Sequence, residues 1–281
     1  MPIVRTKKEL AKQLKTSNYR KGIGLVPTMG ALHKGHEFLV QKAVEQNDLV
    51  VVSIFVNPTQ FDKQEDLEKY PKTLEADVSL IKKVDENIIV FAPSEQEVYG
   101  ENISSKNYDF EGLDKVMEGS FRDDHFNGVG TIVEALFLLV KPDRAYFGEK
   151  DFQQLRIIQK LVEIERIPVE IVACPIVREP HGLAMSSRNE RLSTEIRQKA
   201  AFIHETLKSA KKFFGTKSAY YVKEKVKESF DSHSEFGLEY IEITDVETLT
   251  PVKEKKEGQK YRAFIAVYAE GVRLIDNIAL N

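Results

Sequence analysis

Tryptophan is absent from this 281-residue chain and cysteine occurs once, at Cys174. A lone cysteine has no intrachain disulfide partner and cannot build a thiolate metal centre, which fits a reducing compartment. Lying in the apolar run VEIVACPIV, it reads as a small buried hydrophobe. No apolar run approaches the roughly 18 residues that a membrane-spanning helix requires. The start, MPIVRTKKELAKQ, has no signal-peptide apolar core, so the expectation is a cytoplasmic protein with no membrane partner. Excess positive charge is also missing: the formal net charge is −3. That gives no general attraction to nucleic acid, so any polyanion would be bound locally. Internal repeats and low-complexity tracts are likewise lacking.

What is present is an alternation of strand-like and helical periods. Ile23 to Val26 reads as a short buried strand, and the helix that follows from His36 places Leu39, Val40, Ala43 and Val44 on one face. Leu49 to Val56, LVVVSIFV, has the continuous β-branched character of a strand covered on both faces. Thr73 to Lys83 reads as a helix and Ile88 to Phe91 as a strand. Val129 to Val140 carries a buried helical stripe that Pro142 ends. Ala145 to Phe147 and Val169 to Ala173 read as strands around a helix over Phe152 to Glu165. Strands separated by helices imply a parallel sheet, with ligands beyond the strands' carboxyl ends. From about Ile176 the order becomes helix (Ser193 to Phe214), helix (Ala219 to Phe230) and two strands (Leu238 to Thr244, Tyr261 to Tyr268). The expected fold class is therefore α/β: a Rossmann-like parallel-sheet N-terminal domain over 1–176 and a smaller α+β C-terminal domain over 177–281 that covers the site. The charged stretch Asp62 to Tyr70 reads either as a mobile loop over that site or as an ordinary solvated connection.

Four polar clusters fall at the ends of these strands. In LVPTMGALHKGHEF, a strand end is followed by a turn and then by His33 and His36 at a helix start. First-turn N–H groups lack intrahelical partners and the helix dipole is positive there, so the position favours an anion such as phosphate. A metal-binding pair and two structural histidines are the competing readings of these residues alone. Asn57-Pro58-Thr59-Gln60-Phe61 ends the long apolar strand and offers amides, or is only a turn. Gly148-Glu149-Lys150-Asp151-Phe152-Gln153-Gln154 sets a lysine at a helix start, where it either meets a phosphate or is solvated. Met185-Ser186-Ser187-Arg188-Asn189 offers hydroxyls, amides and an arginine that can wrap phosphates, or forms a polar interdomain loop.

Taken together, the clusters resemble the paired signatures of the nucleotidyltransferase superfamily that includes class I aminoacyl-tRNA synthetases. The ordered motifs PTMGALHKGH, FVNPTQF, YPKT, HFNGV, KPDRAYFGEKDFQQL and GLAMSSRN resemble the pantoate–β-alanine ligase family over nearly all of the first 190 residues. The last 90 residues carry little of the resemblance. It implies ATP-dependent ligation of pantoate to β-alanine through a pantoyl adenylate, with release of AMP and pyrophosphate. By motif match, ATP would be bound by Met29, Gly30, Ala31, Leu32, His33, Lys34, Gly35 and His36, by Gly148, Glu149, Lys150 and Asp151, by Val177, and by Met185, Ser186, Ser187 and Arg188. His33, His36 and Lys150 would be catalytic, with His36 at the proton-donor position and Lys150 balancing charge near the α-phosphate. Gln60 and Gln154 would hold pantoate, and Gln60 would also reach β-alanine. Mg2+ would accompany ATP, with no ligand identifiable from sequence. The resemblance further implies a homodimer. Thr59 departs from a bulkier apolar residue in many relatives, and Asp231 to Lys260 matches no recognisable motif.

Other function classes make different demands. An adenylyltransferase that stops at AMP transfer would not need the two glutamines, and a tRNA synthetase fragment would want a basic RNA-binding surface. A non-catalytic ATP-binding regulator would bind nucleotide without turnover.

Overall fold

The computed structural model describes residues 1–15, 20–61 and 64–281. The chain divides into two compact units, one of residues 1–149 and 153–175 and the other of 150–152 and 176–281.

The first unit is built on a parallel sheet. Its strands are β1 (Ile3–Val4), β2 (Ile23–Thr28), β3 (Leu49–Ile54), β4 (Ile89–Phe91), β5 (Arg144–Gly148) and β6 (Glu170–Cys174), in the order β1-β4-β3-β2-β5-β6. Every pairing is parallel. The connecting helices are α1 (Lys7–Leu14), α2 (Lys34–Gln46), the short α3 (Gln64–Glu68) and α4 (Leu74–Val84). After them come the short α5 (Glu95–Tyr99) and α6 (Glu118–Phe121), then α7 (His125–Val140) and α8 (Phe152–Glu165). Successive strands run outward from β2 to β4, and β5 then returns to the other side of β2. This reversal is the switch point beyond which open α/β sheets form their ligand crevice. The core packs Val26, Val50, Val52 and Val90 of the sheet against Leu39, Val40 and Ala43 of α2 and Ile81 of α4. A buried polar tie joins α2 to β5: the Asn47 amide donates to the Tyr146 hydroxyl at 2.7 Å. A Cβ at Gly24 would lie 2.6 Å from the Asn47 amide nitrogen, so only glycine fits beneath it.

The expected strands and helices of this unit are present, with boundaries moved by a few residues. β3 stops at Ile54 because Pro58 opens a 3-10 turn over Pro58–Gln60. α2 begins at Lys34 because His33 caps it. Of Asp62 to Tyr70, read either as a loop over the site or as a solvated connection, Asp62 and Lys63 lie outside the described residues, and Gln64–Glu68 is a short helix.

The second unit combines three helices with an antiparallel sheet. They are α9 (Thr194–Lys199), α10 (Ala201–Phe214) and α11 (Ala219–Asp231), beside β7 (Gly237–Asp245), β8 (Tyr261–Ala269) and β9 (Val272–Ala279) in the order β7-β8-β9. Its core joins Ile203, Leu207 and Phe214 of α10 to Val222 and Val226 of α11 and Ile241, Ile265 and Val267 of the sheet. Two differences from the sequence expectation stand out. The helix read over Ser193 to Phe214 breaks at the fully buried Ala200, where α9 passes to α10. A third strand, β9, is present, and its alternation is masked by Arg273, Asp276 and Asn277, all of which are paired. Arg273 meets Glu239, and Asp276 takes both arms of Arg178 at 2.6 and 3.0 Å.

Candidate functional site

In the first unit, the chain leaves β2 through a tight turn. Gly30 has φ +85° and Ala31 φ 50°, both left-handed. A Cβ on Gly30 would come within 3.0 Å of the Asp77 carboxylate, so glycine is required on two counts. Asp77, on α4 and only 2% exposed, holds the turn: its carboxylate accepts from Ala31 N at 3.1 Å and Leu32 N at 2.8 Å. The Thr73 hydroxyl donates to the same carboxylate at 3.2 Å. Met29, Gly30, Ile54, Val56 and Asp77 line a cleft of about 190 Å³ beside this turn.

The histidines then start α2. His33 is the cap, its Nδ1 accepting from Gly35 N at 3.1 Å, and His36 Nδ1 accepts from His33 N at 3.3 Å. The rings lie 4.1 Å apart, tilted by 39°. A backbone N–H can only donate, so both Nδ1 atoms carry lone pairs and each neutral ring holds its proton on Nε2. Both Nε2 atoms are therefore donors, suited to an anion. The same tautomer disfavours the metal-pair reading, because Nε2–H offers no lone pair to a cation. Lys34 is paired with Glu37 at 2.7 Å and is largely exposed.

Beyond β3, Gln60 is buried, at 8% exposed. The Asn57 amide donates to Gln60 Oε1 and to the Gly128 carbonyl, each at 3.1 Å. Gly128 must be glycine, since a Cβ there would meet the Thr59 carbonyl at 2.3 Å. At the end of β5, Gly148 pairs with Cys174 and Glu149 opens a 3-10 turn over Glu149–Asp151. Burial pushes the Cys174 thiol up to about 11, leaving it an inert core residue. The adjacent glutamines of α8 differ in what they hold. Gln153 is spent on structure, donating to Leu113 O and Val116 O at 2.8 and 2.7 Å and accepting from Glu118 N. Gln154 is half-buried on the first turn.

In the second unit, Lys150, Ser186 and Arg188 line one small cavity together with Asn189 and Asp276. Asn277 of β9 donates to the Lys150 carbonyl at 2.9 Å, fixing that backbone, and Lys150 Nζ lies 3.6 Å from Asp151. The Arg262 guanidinium stacks 3.9 Å over Phe152. Val177 and Met185 are joined by a backbone bond of 3.0 Å at the base of the Met185–Arg188 segment. Ser186 and Ser187 are half-buried and Arg188 is exposed. Behind the segment, Asn189 donates to Glu179 at 2.7 Å and to Ala184 O at 3.0 Å, while Arg197 reaches both Glu179 oxygens at 2.9 and 3.1 Å. Burial raises the Glu179 carboxyl, but the Arg197 and Asn189 hydrogen bonds outweigh it and hold the group below its ordinary range.

Sequence reasoning missed Asp77, Asn277 and Glu179. Each acts on a backbone or side chain distant in sequence, so its only local signal is an unremarkable acidic or amide residue. Among the described residues no group of three or more His, Cys, Asp or Glu side chains is arranged to hold a metal ion.

A parallel sheet whose strand-end loops present donor histidines and a buried amide defines an α/β fold with a crevice chemically suited to anions. The profile of the pantoate-beta-alanine ligase family matches residues 2–279, and the chain belongs to that family. It is a ligase of pantothenate biosynthesis. The pantothenate synthetase of Christiangramia forsetii is 56% identical over 282 residues, with 100% of each chain covered. The crystal structure of pantothenate synthetase from Thermus thermophilus matches with a TM-score of 0.90 at 40% identity, covering 100% of this chain and 99% of that one. That of pantoate-beta-alanine ligase from Francisella tularensis, complexed with beta-gamma ATP and beta-alanine, matches with a TM-score of 0.79 at 34% identity, covering 100% and 98%.

Proposed function

We propose that this enzyme joins pantoate to β-alanine in two steps driven by ATP. In the first, a pantoate carboxylate oxygen attacks the α-phosphorus and the bond to pyrophosphate breaks, giving pantoyl adenylate. In the second, the unprotonated amine of β-alanine attacks the acyl carbon, AMP leaves, and the nitrogen loses a proton as the amide forms. No covalent bond to the protein is required, so the protein contributes positioning and charge stabilisation. The observation that carries this reading is the histidine-capped start of α2, where both Nε2 atoms are donors at a positive helix end. ATP bound by the Francisella tularensis relative supports the choice of anion.

In this reading Met29 to His36 bind ATP, His33 and His36 donate to its phosphates, and His36 is the proton donor. Gly148 to Asp151, Val177 and Met185 to Arg188 contact the nucleotide, with Lys150 opposing charge at the α-phosphate. Gln60 and Gln154 hold pantoate, and Gln60 also reaches β-alanine. ATP enters as its Mg2+ complex, a substrate rather than a resident metal. Asp77, the acidic group at the Gly30 turn, already accepts from two amides and a hydroxyl, so it is not assigned to the cation. A homodimer in the cytoplasm completes the proposal.

Product analysis tests the chemistry. AMP and pyrophosphate should form in equal amounts and only with pantoate present. ADP and phosphate would instead mean an acyl phosphate and contradict the reading.

A further inference from the structure

The polar groups around Gln60 fix more than its place. Gly128 O can only accept, so the Asn57 atom facing it at 3.1 Å is Nδ2. Its second hydrogen goes to Gln60 at 3.1 Å, so that atom of Gln60 is Oε1. Asn57 Oδ1 is held by the Thr59 hydroxyl at 3.0 Å and by the Tyr99 hydroxyl, which closes the amide's valences. Gln60 therefore directs its Nε2 hydrogens away from Asn57. On its other side, the Gln60 carbonyl accepts from Arg122 at 3.0 Å and faces His125 Nδ1 at 2.9 Å. A carbonyl cannot donate, so His125 carries its proton on Nδ1. Its Nε2, 3.1 Å from the Arg122 guanidinium, accepts.

We infer that His125 and Tyr99 are positioning residues that clamp Gln60 as a hydrogen donor of fixed polarity, matched to a carboxylate or hydroxyl oxygen of the substrate. His125 sets the backbone and Tyr99 sets the carboxamide through Asn57. Thr59 belongs to the same clamp: its hydroxyl donates to Asn57 Oδ1 beside that of Tyr99, a bond that an apolar side chain at this position would not make. The inference rests on the reading of Gln60 as a pantoate contact.

Steady-state kinetics on the full-length enzyme test it. His125→Ala should raise the KM for pantoate roughly tenfold, the size of one lost hydrogen bond, while the KM for ATP stays within about twofold. His125→Asn should recover most of that loss, because its carboxamide nitrogen can take the place of Nδ1–H. Tyr99→Phe, which deletes a single oxygen, should produce the same pantoate-selective rise and carries the test if the His125 variants fail to fold. Parallel increases in both KM values, no rescue by asparagine, or an unchanged pantoate KM in Tyr99→Phe would each overturn the clamp. Gln60→Ala is the control for the underlying reading: if its pantoate KM is unchanged, Gln60 does not contact pantoate. If that variant loses pantoate while the His125 and Tyr99 variants do not, the clamp alone is wrong.

Discussion

His33 and His36 advertise an anion site by residue type and spacing, yet spacing alone leaves metal, phosphate and structural roles open. The capping bonds narrow the choice, because Nδ1 of each ring is an acceptor and Nε2 a donor, which suits an anion better than a metal. These bonds are local, but which ring nitrogen accepts depends on the side-chain rotamers at the cap, which residue type and spacing do not specify. Asp77 was illegible for another reason: its partners, Ala31 N and Leu32 N, belong to a different loop. His36→Ala and Lys150→Ala should each lower turnover at least about 100-fold, the usual cost of deleting a donor to developing charge. Near-normal turnover in either variant contradicts its assigned role. Asp77→Ala leaves two amides of the Gly30 turn without their acceptor and should cost about 1–3 kcal/mol of stability in denaturant titration. It should also raise the KM for ATP more than that for pantoate.

Elements were legible wherever burial imposes a clean period. LVVVSI of β3 is apolar because both sheet faces are covered, and the α7 stripe is unbroken because that helix is buried nearly throughout. β9 was not legible, since its alternation includes Arg273, Asp276 and Asn277, whose charge or amide is satisfied by residues far away in sequence. The break between α9 and α10 falls at an alanine, which carries no helix-ending signal. The Met185–Arg188 segment depends on the Glu179 network behind it, and its pH dependence follows in sign. A carboxyl held below its ordinary value contributes stability above its unfolded-state pKa and loses that contribution as pH falls through the folded-state value. Glu179→Gln should therefore be less stable than the parent at pH 7, with the difference closing below about pH 4. A difference that persists in acid would mean the charge is not what matters. In the core of the second unit, Leu207 is fully buried, and Leu207→Ala should cost about 2–5 kcal/mol in the same titration.

At the scale of the whole molecule, the alternation of strands and helices sufficed for a parallel sheet and the ordered motifs sufficed for the family, whereas the strand order that puts the switch point between β2 and β5 is set by pairings distant in sequence. The units themselves interleave in sequence. Lys150 to Phe152 group with the second unit, through Asn277 on Lys150 and Arg262 on Phe152, although the chain on either side belongs to the first. A linear reading draws one boundary and cannot anticipate that exchange. The central claim is that the acid is activated on phosphorus before the amine is engaged, and isotope exchange tests it most directly. With β-alanine omitted, labelled pyrophosphate should enter ATP only when pantoate is present, and AMP should then be released when β-alanine is added. Exchange that does not need pantoate, or none in folded enzyme that still makes product, would contradict a freely reversible adenylate step and with it this account of the site.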